Sequence, residues 1–280
     1  MFASLMNQTN SDLLQGESVY LRRRVNLQVS YHAGVTPGLV FLHGGLGNRL
    51  NWRSQYEFFL HQGREVLTYD LAGHGQSSPY NRYSLGRHRR DLRRLLRRYQ
   101  IKSPVVCCHS YGVPLGLEWV RRNQATALVL IAGGTHDLAP WWEIPLIKFL
   151  AWGGRYFYRI PGIQSLTNRI SSDRNHQKIE QFFAESTLPL EPHPYEALEI
   201  FWGYNFWQRH QKGLNRKIPV LVITGGKDPS FTKEMGDELA NSFPLGQHFH
   251  LPEAGHLLIA EYPEVVNRAI ADFISQISSQ

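Results

Sequence analysis

"VVCCHSYG", residues 105–112, decides the fold. It opens as a short apolar run of β-branched and small residues, the composition of a strand buried on both faces. Ser110 follows at once, and "YGVPLGLEWVRRN" (111–123) then reads as a helix. A Ser set between a buried strand and a helix, with Gly112 two residues on, is the context of a nucleophile elbow, where a sharp turn lifts the Ser oxygen above the sheet. Cys108 occupies the first Gly position of that G-x-S-x-G pattern. Cys107 beside it offers a thiol as a rival nucleophile, but cysteines within a strand usually act as small apolar residues.

The pattern of alternating strands and helices extends outward in both directions. Before the elbow, "ESVYLRRRVNLQVSYH" (17–32) predicts two antiparallel strands, "GLVFLHGG" (38–45) a buried strand, 49–62 a helix, and "EVLTYDLAGHG" (65–75) a strand ending in a Gly-rich turn. Residues 83–100 predict a helix whose Leu92, Leu95, Leu96 and Tyr99 form one apolar stripe. After the elbow come a strand in 125–134, a strand in 218–228, a helix near 231–243, a strand in 247–256 and a closing helix near 261–278. Strands that alternate with helices imply a mostly parallel sheet covered on both faces.

The rhythm breaks between 135 and 215, a stretch of helical tendency that holds Trp141, Trp142, Trp152, Trp202 and Trp207. We therefore expect a core built from 1–134 and 216–280, with 135–215 inserted as a helical cap or lid. So much aromatic surface above a Ser nucleophile favours a hydrophobic acyl substrate.

A Ser hydroxyl is a weak nucleophile without an adjacent base, and that base must be held by a third group. Asp228 ends the strand "VLVITGGKD", and His256 follows the next strand in "PEAGH". Three roles at three strand ends, in the order Ser, acid, His, suit the elbow. Taken singly, Asp228 could be a turn or helix-capping residue and His256 a loop histidine.

These residues, with "FLHGGLGN" (41–48), "YDLAGHGQSS" (69–78), "CHSYG" (108–112), "ITGGKD" (223–228) and "EAGHLL" (253–258), resemble the α/β-hydrolase family over nearly the whole chain. The resemblance implies an α/β fold with a mostly parallel central sheet, helices on both faces and the inserted helical cap. It implies a catalytic triad of Ser110, Asp228 and His256, and an oxyanion hole formed by the N–H groups of Gly45 and Tyr111. No metal and no cofactor are called for. Asp137 is a second candidate acid, because some members of the family carry the acid on that earlier strand. His43 is expected to order its loop, Asp70 and His74 to belong to turns, and His109 to pack beside the elbow.

The implied activity is acyl transfer to water from a small-molecule ester or lipid substrate, as in an esterase or an acylglycerol lipase. The same fold also serves ligand binding with little turnover, and the same triad serves carbon–carbon hydrolysis or perhydrolysis. Ser at position 110 argues against relatives that form an alkyl-enzyme through Asp.

The 280 residues are 42% hydrophobic and 19% charged, enough to bury one large core. The two cysteines are adjacent, so no disulfide framework exists. The first residues lack a basic start followed by an apolar stretch, and no window reaches the length of a membrane span, so a cytoplasmic protein is expected. The net charge is +7. Arg87, Arg89, Arg90, Arg93, Arg94, Arg97 and Arg98 crowd one helix, which reads either as a solvated face opposite the leucines or as a contact for an anionic membrane surface. No nucleic-acid recognition motif accompanies them, so a nucleic-acid partner is not expected.

Overall fold

A computed structural model of the chain describes residue 13 and residues 16–22, 25–135, 193–201 and 204–278. The apolar runs form strands β1 (Glu17–Arg22), β2 (Val25–His32), β3 (Val35–Leu42), β4 (Arg64–Tyr69), β5 (Val105–His109), β6 (Ala127–Ile131), β7 (Pro219–Gly225) and β8 (Leu245–Leu251). Among the described residues they make one sheet, in the order β1-β2-β4-β3-β5-β6-β7-β8. β2 runs antiparallel to β1 and β4, while every pairing from β4 across to β8 is parallel. β5 lies near the middle, so Ser110 emerges at the carboxyl end of the sheet, flanked by loops from both sides.

Side chains of a strand alternate between faces, and the sheet accordingly divides the core in two. Val106 and Cys108 join one cluster with Leu92, Leu95, Leu115 and Trp119. Val105 and Cys107 join the other with Trp52, Tyr56, Phe59, Ile270 and Phe273. The adjacent cysteines thus point to opposite faces and both are free and buried.

The first cluster packs under helices α2 (Leu85–Arg98) and α3 (Gly112–Val120). The second packs under α1 (Arg53–His61) and, near the end of the chain, a helix spanning Pro263–Ser278. The predicted helix at 49–62 begins as a 3-10 turn over Arg49–Trp52, capped by the Asn48 side chain, before it relaxes into α1. The leucine stripe of 83–100 is buried as expected, with Leu92, Leu95 and Leu96 against the sheet.

The stretch expected as a cap lies mostly outside the described residues, and so do Asp137, Trp141, Trp142, Trp152 and Trp202. Its described part holds a short helix α4 (His193–Glu196), a 3-10 turn (Ala197–Phe201) and helix α5 (Phe206–Leu214). Trp207 on α5 is partly exposed, whereas Phe206 and Leu214 pack into the first core cluster. Helices α6 (Lys233–Asn241), α7 (Leu258–Glu261) and α8 (Pro263–Ser278) complete the described elements. Among the described residues no helix is long and apolar enough to cross a membrane.

Candidate active site

Ser110 has φ +48°, a left-handed conformation that an L-residue with a side chain adopts at a cost of about 1–2 kcal/mol. Two backbone hydrogen bonds hold it there: Ser110 N–H donates to Ile131 O at 2.9 Å, and Val113 N–H donates to Ser110 O at 2.8 Å. The turn also requires α3 to start close to β3. A Cβ on Gly112 would lie 2.5 Å from the Leu42 carbonyl oxygen, so only Gly fits at that crossing.

Cys108, the departure from the usual small-residue pattern, is matched from the other side. A Cβ on Gly116 would lie 2.4 Å from the Cys108 sulfur. The sulfur therefore occupies room that the helix glycine leaves open. Burial pushes both thiols well above their ordinary pKa, which removes the thiolate that a cysteine nucleophile would need.

The structure brings Ser110, His256 and Asp228 together. The Ser110 hydroxyl lies 3.0 Å from His256 Nε2, and His256 Nδ1 lies 2.8 Å from Asp228 Oδ2. A carboxylate only accepts, so Nδ1 carries the proton and Nε2 is free to accept from the hydroxyl. Asp228 is itself fixed, because its Oδ1 accepts from Ser230 N–H at 2.8 Å and Phe231 N–H at 3.2 Å. Burial pushes this carboxyl up, but His256 and the two backbone donors together draw its pKa below the ordinary value. It is held as an anion.

The loop bearing His256 is clamped from two sides. Glu261 accepts from Gly255 N–H at 2.6 Å and from Leu257 N–H at 3.2 Å. His109, one residue before Ser110, reaches the His256 carbonyl oxygen through Nε2 at 2.9 Å. A carbonyl only accepts, so His109 carries its proton on Nε2. Burial, reinforced by the nearby His256, pushes His109 down to about 3. It stays neutral and serves as a fixed donor. The sequence predicts that it packs beside the elbow but carries no sign of this bond, since a backbone acceptor has no signature in sequence. Phe231 completes the surround, stacking on the His256 ring at 5.9 Å.

Gly45 lies against the turn that carries Ser110: a Cβ on it would stand 3.5 Å from Tyr111 Cβ. Among the described residues, neither backbone N–H donates to a protein acceptor. The Tyr111 side chain is pinned below, its hydroxyl donating to Ala197 O at 3.1 Å and accepting from His88 Nε2 at 3.3 Å.

The loop carrying Gly45 is ordered as the His43 reading required. Leu71 N–H donates to His43 Nε2 at 2.9 Å, and His43 Nδ1 donates to Gly44 O at 2.7 Å. Burial holds the His43 ring neutral. Asp70 makes the expected turn bond with Gln76 N–H at 2.9 Å. It also takes part in a buried ion pair that was not foreseen, with Arg49 Nη1 at 2.9 Å and Arg49 N–H at 2.8 Å. His74 lies in the next turn, its ring edge-on to His43 at 5.0 Å. Among the described residues no cluster of His, Cys, Asp and Glu has the grouping that a metal ion needs.

Comparison with known proteins agrees with this architecture. Residues 37–263 match the family model described as the alpha/beta hydrolase fold. Protein ABHD8 of Bos taurus is 26% identical over 256 residues, covering 84% of this chain and 55% of that protein. The chain thus spans about half the length of the first curated relatives it matches. The uncharacterized hydrolase YugF of Bacillus subtilis is 24% identical over 281 residues, covering 89% of this chain and 94% of that protein. Among solved structures, a thermophilic esterase from Thermogutta terrifontis superposes with a TM-score of 0.77 at 20% identity, covering 94% of this chain and 97% of that one.

Proposed function

Since the chain belongs to the alpha/beta hydrolase fold family, we propose that it is a serine hydrolase that cleaves carboxylic esters bearing a hydrophobic acyl group, as an esterase or an acylglycerol lipase does. The observation that carries this reading is His256 bridging Ser110 and Asp228 at 3.0 and 2.8 Å.

The chemistry follows from that geometry. Ser110 Oγ attacks the ester carbonyl carbon while its proton passes to His256 Nε2. Asp228 keeps Nδ1 protonated and stabilises the imidazolium that forms. The carbonyl oxygen becomes an oxyanion within reach of the Gly45 and Tyr111 N–H groups, each contributing on the order of 3 kcal/mol. Collapse of the tetrahedral adduct expels the alcohol, which takes the proton from His256 Nε2, and leaves an acyl-enzyme on Ser110. Water then attacks the acyl carbon with His256 as base, releasing the acid and restoring the Ser110 hydroxyl.

A hydrophobic acyl group is favoured by the apolar side chains at the site. Phe231 stacks on His256, and Leu198 comes within 3.9 Å of where a Cβ on Gly45 would stand. The aromatic composition of 135–215, most of which lies outside the described residues, favours the same kind of substrate. The names of similar proteins, an esterase and a hydrolase among them, favour the same class.

The test is a fluorophosphonate probe together with p-nitrophenyl esters of graded acyl length. Covalent labelling at Ser110 and loss of turnover in Ser110→Ala are expected. A Ser110→Ala protein that hydrolysed the esters at the parental rate would exclude the assignment. Labelling of Ser110 without turnover of any ester would redirect the reading to carbon–carbon hydrolysis or perhydrolysis.

A further inference from the structure

The arginines of α2 do not all serve the same purpose. On one side of the helix, Arg94 pairs with Asp91 at 2.6 Å and Arg98 lies 4.0 Å from Glu17. On the other side, Arg89, Arg93 and Arg97 recur at four-residue spacing with Arg90 beside them, and so share one face. Among the described residues Arg90, Arg93 and Arg97 form no ion pair.

That face continues across two further elements. Glu118 of α3, 2% exposed, gathers guanidinium groups from three stretches of chain. Arg121 forks onto it at 2.8 and 3.1 Å, Arg209 of α5 lies at 3.4 Å, Arg122 at 3.6 Å and Arg89 at 3.9 Å. One buried carboxylate thus fixes four cations and leaves a surplus of positive charge. Burial and the guanidinium groups of Arg122, Arg93 and Arg90 push Arg89 below the ordinary arginine value. Farther along, Arg93, Arg97 and Lys102 rim a groove of about 470 Å³ floored by Leu96, Ile101 and Trp119.

We propose that this face, spanning α2, the end of α3 and α5, docks on a bilayer surface carrying anionic phospholipid headgroups. A guanidinium fork matches phosphate and carboxylate oxygens, and clustered basic residues on a folded surface are what anionic bilayers attract. The helix lays Arg90, Arg93 and Arg97 along a 14-residue element, a spread that suits a planar array of charges. The choice of lipid over another polyanion rests on the ester-hydrolase reading, because a hydrophobic acyl ester is found where such headgroups are.

The test is sedimentation of the full chain with phosphatidylcholine vesicles, with and without about one-third phosphatidylserine, at salt of about 0.1 M and about 0.5 M. The Ser110→Ala variant is used alongside the parent, so that binding is read apart from turnover. Binding only to the phosphatidylserine vesicles, lost at high salt, is expected. Replacing Arg90, Arg93 and Arg97 together by Gln should weaken it at least about tenfold, with hydrolysis of a water-soluble ester unchanged. Replacing the same three by Glu should abolish it. Equal binding to both vesicle types, parental binding by the Gln variant, or tighter binding to a DNA duplex at the same salt would overturn the proposal. Vesicle binding without fluorophosphonate labelling would leave the docking face standing and remove the hydrolase reading.

Discussion

His109 donates its Nε2 proton to the backbone carbonyl of His256 at 2.9 Å, so the residue beside Ser110 holds the loop of the proposed base. The loops of Ser110 and His256 are thereby tied by a bond outside the proposed proton relay. His109→Leu should leave that carbonyl without its partner and lower kcat by about tenfold, the equivalent of one buried hydrogen bond, with KM little changed. His109→Gln keeps a donor at similar reach and should recover most of the loss. Because His109 stays neutral down to about 3, neither variant should move the acid limb of the pH–rate profile. Steady-state kinetics across pH checks all three outcomes.

Cys108 and Gly116 form a complementary pair. Gly116→Ala puts a methyl into the space of the cysteine sulfur, and overpacking of this kind costs about 1–3 kcal/mol. Combining it with Cys108→Gly should return part of that loss, giving a coupling energy of about 1 kcal/mol in a double-mutant cycle. Denaturant unfolding of the four proteins measures it. Additivity of the two changes would show that the helix and strand adjust independently.

Asp228→Asn should lower kcat by about 10³–10⁴-fold while Ser110 remains in place, because an amide cannot stabilise the imidazolium and can leave His256 in the wrong tautomer. The carboxyl also links stability to pH. Its folded pKa lies below the ordinary aspartate value, so its contribution is fully present above that ordinary value and is lost as pH falls through the folded one. Parent and variant should therefore converge in stability as the pH is lowered into that acid range. Thermal melts over an acid series test this, and a constant gap between the two would contradict it.

Asp70→Ala removes the carboxylate partner of a buried guanidinium that also donates to Ser30 Oγ. Arg49 and Asp70 have side chains 4% and 0% exposed, and breaking such a pair from one side costs about 3–5 kcal/mol. Burial pushes the Asp70 carboxyl up against the pull of Arg49, so the pair adds less than its geometry suggests. Replacing both residues, Arg49→Met with Asp70→Leu, should accordingly be milder than Asp70→Ala alone. Unfolding midpoints decide the order.

Much of this was legible in the sequence because apolar runs and turn residues act locally. The run before Ser110 and the small residue after it identified the strand, the turn and the helix start together. The order Ser, Asp, His then followed from strand ends, without knowledge of which strands are neighbours. The sequence predicts the last strand over 247–256, whereas β8 spans Leu245–Leu251. Its "LGQHFHL" sits at the sheet edge and is only partly buried, so the apolar contrast that marks a strand is weak there. The Arg49–Asp70 pair, the His109 bond to a backbone oxygen and the convergence of arginines on Glu118 were not legible. Each joins residues from separate elements, and local periodicity carries no information about such contacts.

The Tyr111 hydroxyl bonded to the Ala197 carbonyl has a consequence for engineering. Tyr111 supplies one of the proposed oxyanion donors, and its hydroxyl is anchored to residues 193–201, the described end of the stretch expected as a cap. Residues 193–201 are therefore not a free cassette. A chimera that imports a foreign segment here must bring an acceptor for the Tyr111 hydroxyl, or the turn that carries Ser110 will be loosened along with the change.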